Sequence, residues 1–130
     1  MMKENLGHKE TQDIVSYWLV KTGIFTDQTI FETYAKLEEE TEEVYEELVE
    51  PVDKEKLALE IADVIFTCYI LAIQSGIDVN EAMLKQLDKQ FTRYNPYKAE
   101  QLVNGGMKSK EALVKLKKEA NASSSSSPSS

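Results

Sequence analysis

The sequence predicts an all-α fold, a compact helical bundle of about four core helices with short C-terminal helices. Three observations carry that expectation. Apolar residues recur at helical spacing between nearly all the chain breaks. Only 5 Gly and 3 Pro interrupt the 130 residues. Residues with capping chemistry stand where one periodic run ends and the next begins. No segment alternates apolar and polar residues for long enough to read as a strand.

The first helix is predicted from about Thr11 to Lys21, on the face Ile14, Tyr17, Trp18 and Lys21, and stops at Gly23. The second starts near Asp27 and runs to about Val49, before Pro51. Asp53 caps a third helix that reaches about Ser75 and closes at Gly76. Asp78 and Glu81 have capping-box spacing for a fourth, to about Tyr94. Asn95-Pro96 breaks the chain, and a short helix spans about Pro96 to Val103 before Asn104-Gly105-Gly106. Ser109 caps a last helix, to about Glu119. Residues 1–120 read as a single domain, and the Ser-rich 121–130 reads as a disordered tail.

Charge and cysteine content narrow the function. The formal net charge is −8, and it is unevenly spread. Residues 1–75 carry 6 basic and 17 acidic groups, while residues 76–130 carry 9 basic and 6 acidic. Such a chain is a poor nucleic-acid binder. Its two halves could instead hold a metal and a polyanion. Cys68 is the single cysteine, so neither an internal disulfide nor a thiolate metal cluster is expected. The N-terminus leads into polar sequence, not an apolar signal core. The longest apolar stretch, Leu57 to Ile73, reads as too short and too charged for a membrane span, since it contains Glu60 and Asp63. A cytoplasmic protein is expected.

Chemistry concentrates on two helices. At about 100° per residue, Leu37, Thr41, Val44 and Leu48 form the expected apolar seam of the second helix. Glu40, Glu43 and Glu47 form a stripe beside it, and Glu38, Glu39, Glu42 and Glu46 lie mostly outward. By itself that stripe is explained as a solvated helix face. On the third helix apolar residues occupy nearly every azimuth, and Glu60, Asp63, Thr67 and Gln74 share the one polar stripe. A helix apolar all round is expected to be buried, so Glu60 and Asp63 need partners. A salt bridge to Lys or Arg is one solution. The other is a cation shared with Glu40 and Glu43, because each pair stands at i, i+3 on one face. An all-oxygen set suits Mg²⁺, with Mn²⁺ or Ca²⁺ possible, and not Zn²⁺. A di-iron bundle would need Glu-x-x-His on two helices, and His8 is the single histidine.

Lys85, Lys89 and Arg93 follow each other at i, i+4 and i+8 on the fourth helix, opposite Met83, Leu84, Leu87, Phe91 and Tyr94. They form either a solvated basic face or a phosphate clamp, for which Arg93, the single arginine, has the fitting fork. Trp18 and Tyr17 are either core aromatics or a platform for a base. Cys68 reads as a packing residue.

Glu39-Glu40-x-x-Glu43 followed by Glu60-x-x-Asp63 resembles the MazG-like branch of the all-α nucleoside triphosphate pyrophosphohydrolases. Dimeric dUTPases and phosphoribosyl-ATP pyrophosphohydrolase belong to the same superfamily. The resemblance covers roughly Phe31 to Tyr94 and includes Gly76-Ile77-Asp78 with Lys89-x-x-x-Arg93. It implies Mg²⁺ on Glu40, Glu43, Glu60 and Asp63, with Glu39 as an auxiliary carboxylate for water. It implies phosphate contacts from Lys89 and Arg93, and a homodimer or homotetramer. Many relatives carry an Asn close before that Lys, where this chain has Gln86 and Asp88. The expected reaction is hydrolysis of a nucleoside triphosphate to monophosphate and pyrophosphate. Phosphoribosyl-ATP hydrolysis and a non-enzymatic acidic module that binds metal or a partner are the alternatives.

Overall fold

The computed structural model describes residues 5–125, and these are all-helical. Six α-helices follow one another: α1 (His8–Thr22), α2 (Ile30–Glu47), α3 (Lys54–Gln74), α4 (Val79–Arg93), α5 (Pro96–Asn104) and α6 (Ser109–Ser125). The chain divides into two compact units, Met1–Ala82 and Met83–Ser130.

In the first unit α1 and α2 both pack on α3. Its core is Val15, Tyr69 and Ile70, with Leu19, Phe25, Ile73 and Val79 packed around them. α1 begins three residues earlier than the sequence suggests, because Thr11 already donates its backbone N–H to Gly7 O at 3.0 Å. It closes on Gly23, whose φ of 63° is the left-handed conformation that glycine adopts without a Cβ penalty. α2 starts at Ile30, not near Asp27. The intervening residues turn back on themselves, with Thr26 N–H on Gly23 O and Gln28 N–H on Phe25 O. Thr29 is the cap, and its hydroxyl accepts from Glu32 N–H at 3.1 Å. Asp53 caps α3 as expected, accepting from Glu55 and Lys56 N–H. Asp78 likewise accepts from Glu81 N–H at the start of α4.

One side chain fastens α1 to the corner between α3 and α4. Gln12 donates from Nε2 to Ile77 O at 2.7 Å and accepts at Oε1 from Val79 N–H at 2.8 Å. His8 also has a partner that the sequence did not reveal, the buried Tyr69 hydroxyl at 2.6 Å from Nδ1.

α3 departs from the expectation of burial all round. Only Thr67, Tyr69, Ile70 and Ala72 are buried. Leu59 is 68 % exposed and Ile65 49 %, because α1 and α2 cover one side of the helix and leave these residues on the other. Cys68 is exposed and not a packing residue. At 21 residues, α3 is long and apolar enough to cross a membrane by length and composition, so the sequence-based judgement of its length is corrected. Glu60 and Asp63 still interrupt it, a costly placement in lipid.

In the second unit α5 packs on α6. Asn95 caps α5 through Tyr97 and Lys98 N–H, and Pro96 sits in its first turn. Ala112 and Leu116 of α6 are buried. Ser109 lies inside α6, and the helix continues past Glu119 to Ser125. The rest of the expected tail, residues 126–130, lies outside the described residues.

Candidate metal centre

The α2–α3 pair is antiparallel. Thr33 meets Gln74 at one end, and Glu40 and Glu43 meet Glu60 and Asp63 further along. A connection of six residues permits this hairpin arrangement. The packed seam of α2 is Thr33, Leu37, Glu40, Val44 and Glu47, all buried or half-buried. The sequence placed Thr41 and Leu48 on that seam, but both are exposed. The seam is therefore rotated towards the acidic stripe, and Glu40 lies within it at 7 % exposure.

Two i, i+3 carboxylate pairs consequently face one another. Glu40, Glu43, Glu60 and Asp63 each offer an oxygen, and these four oxygens lie within 4.8 Å of one another. Burial is graded: Glu40 is buried, Glu60 half-buried, Glu43 and Asp63 exposed. The expected desolvation of Asp63 is corrected, because the residue is exposed although it faces the acids of α2. Glu40 Oε2 and Glu60 Oε2 are buried with no hydrogen-bond partner. Orphaned carboxylate oxygens are costly. Two of them in one group of four acids fit a hard cation.

The electrostatics agree. Burial pushes the Glu40 carboxyl above its ordinary value, against the opposing effect of Lys36. Glu43 is raised chiefly by the neighbouring Glu60 carboxyl, which favours a proton held between them. One cation stands close, since Lys36 Nζ is 3.3 Å from Glu40 Oε1. That contact raises the Lys36 pKa. A single exposed lysine offsets one of four charges. Glu39 is exposed and stands outside the group of four.

A cavity of about 170 Å³ opens beside the acids. Lys36, Glu40 and Asp63 line one part, while Phe25, Phe66, Ile70, Gln28, Thr33 and Thr67 line the rest. Trp18 does not line it. Its ring packs edge-on against Phe66 at 5.4 Å and tilted against Phe25 at 5.9 Å, as backing for the two phenyl walls. Sequence reasoning missed Phe25, Phe66 and Gln28. For Phe66 a signal existed, because it follows Asp63 at i+3 and so shares its face. Phe25 and Gln28 lie in the turn before α2, where no periodicity speaks.

Lys89 and Arg93 belong to the second unit. There they line a pocket of about 530 Å³ with Lys98, Asn95, Asp88 and Glu119. Met83, Leu84, Leu87 and Phe91, on the opposite side of α4, are exposed.

No curated protein and no solved structure matches the chain significantly. The sequence profile of the MazG-like family does match, over residues 32–107, more than half of the 130. That span holds both carboxylate pairs, all of α3 and α2 from its third residue on. Members of this family are in general nucleotide pyrophosphatases. The chain belongs to the MazG-like family.

Proposed function

We propose that this protein is a Mg²⁺-dependent nucleoside triphosphate pyrophosphohydrolase that converts a (d)NTP and water to the (d)NMP and pyrophosphate. The observation that carries the proposal is the group of four carboxylates, two with orphaned buried oxygens, at the edge of a cavity with aromatic walls. Glu40, Glu43, Glu60 and Asp63 would hold the ion, with Mn²⁺ as a substitute. Bound Mg²⁺ supplies Lewis-acid polarisation of phosphate and a lowered pKa for water.

The chain's own residues do the rest. Glu39 orients the attacking water and takes its proton. The water oxygen bonds to the α-phosphorus, and the bond from that phosphorus to the α–β bridging oxygen breaks. Pyrophosphate leaves with the electron pair. Lys36, at the rim between acids and cavity, neutralises charge on the phosphates. Lys89 and Arg93 are the proposed contacts for the outer phosphates. Apolar residues exposed on α3, among them Leu59 and Ile65, support a homodimer or homotetramer. We place the activity in the cytoplasm.

The test is the direct product formed from a panel of NTPs and dNTPs with Mg²⁺. Pyrophosphate is expected, and Glu60→Gln is expected to lower the rate more than about 100-fold, since loss of a ligand exceeds the loss of an outer-shell partner. Orthophosphate as the first product, or a fully active Glu60→Gln, would overturn the assignment.

A further inference from the structure

The end of the cavity away from the acids is built around one wholly buried hydroxyl. Thr33 has 0 % exposure. Three side chains meet there. Gln28 Nε2 donates to Thr33 Oγ1 at 2.7 Å. Thr33 Oγ1 donates to Gln74 Oε1, with Thr29 O a second acceptor at 3.2 Å. Gln74 Nε2 donates to Gln28 O at 2.8 Å.

This closed circuit fixes which way each amide points. A glutamine amide can be turned over, and only its neighbours determine which end is oxygen. Gln74 must present its nitrogen to the Gln28 carbonyl, because an oxygen there would meet an oxygen. Its own oxygen is then directed to Thr33. The Thr33 hydroxyl has one proton, and both acceptors within its reach are carbonyl oxygens. Its proton is therefore spent on one of them, and it offers only a lone pair to Gln28. Gln28 must donate from Nε2. Among the described residues its Oε1 has no donor, and it stands beside the second Nε2 hydrogen on a side chain that lines the cavity.

We propose that Gln28 Oε1 is the specificity-determining acceptor of this cavity, selecting a nucleobase that carries an exocyclic amino group, cytosine or adenine, over its oxo counterpart. The inference rests on the reading of the cavity as a nucleotide site. At about 170 Å³ it is smaller than the roughly 300–1,000 Å³ of pockets that enclose whole ligands, and it suits one nucleobase of a nucleotide. Phe25 and Phe66 give that base apolar walls. The acids at the other end suit the metal-bound phosphates. An amino group donates to Oε1, whereas an oxo group opposes it with a second acceptor. Thr33 and Gln74 act as positioning residues, since they keep the amide from turning over.

The test compares binding of matched monophosphates to the full chain with Mg²⁺: dCMP against dUMP, and dAMP against dIMP. Calorimetry reads affinity directly. Emission from Trp18, the single tryptophan, gives a second readout because its ring packs on both cavity phenylalanines. The amino member is expected to bind about tenfold tighter than its oxo partner, the value of one hydrogen bond made against one opposed. The pair with the larger ratio distinguishes cytosine from adenine. Thr33→Val keeps the shape and removes the hydroxyl, so the ratio is expected to fall towards one. Thr33→Ser is expected to retain it. Equal binding of amino and oxo bases by the native chain, or a ratio unchanged in a folded Thr33→Val, overturns the inference. Neither result bears on pyrophosphate release, which tests the hydrolase reading separately.

Discussion

At the scale of single residues, the acidic site is governed by how readily its protons are held. The carboxyls of Glu40 and Glu43 both lie above the ordinary 4.5, Glu40 through burial and Glu43 through Glu60. From 4.5 up to those raised values the folded chain holds more protons than the unfolded chain. The metal-free stability contributed by these groups therefore falls as pH rises through that window. Lys36, raised from 10.5, acts with the same slope, but its stability is lost only as pH rises through its own higher value. Melting curves of the chelated protein are expected to show higher stability near about pH 5 than near about pH 8 from this cluster. Replacing both acids in Glu40→Gln/Glu43→Gln is expected to flatten that slope. Mg²⁺ is expected to raise the melting temperature of the native chain more at the higher pH, since the ligands must be deprotonated. A shift that is the same at both values would contradict the assignment of the ligands.

Individual helices show where the sequence is a sufficient guide and where it is not. Asp53 and Asn95 cap α3 and α5 as their chemistry predicts, because a cap depends on a few adjacent backbone amides. Asp53→Ala is accordingly expected to cost about 1 kcal/mol in urea unfolding, with little change in the slope. The start of α2 was less legible. Asp27 and Thr29 are both competent caps, and the turn from Gly23 to Gln28 decides between them. The seam of α2 was misplaced for a related reason. Periodicity rewards apolar residues, so Thr41 and Leu48 displaced Glu40, although a buried carboxylate is tolerated where its charge is shared. The grouping of the four acids was legible as one of two alternatives, from i, i+3 pairs on two successive helices, the second of them apolar at nearly every angle. The cavity walls were not, since Phe25 and Gln28 are brought to it by a turn that has no period.

For the molecule as a whole, the exposed apolar surface is the dominant feature. Leu59, Ile61 and Ile65 on α3 and Phe31 and Tyr34 on α2 are all exposed. A surface this apolar favours association of copies in solution. Light scattering on the eluting full chain is expected to give a mass of at least two copies, and Leu59→Glu is expected to reduce it. A monomer at all concentrations would set the proposal of a homodimer or homotetramer aside. The sequence led to the expectation of a buried α3, and half of that helix is exposed in the chain, because composition records the need for burial and not the identity of the neighbour.

Gln12 gives the fold a consequence for exchange with solvent. Its one amide both receives the Val79 N–H and grips the Ile77 carbonyl. The Val79 amide hydrogen is thus shielded by a side chain that arrives from another helix. It exchanges with deuterated water only when α1 lifts away, so a single hydrogen near the start of α4 acts as a clock for the docking of α1.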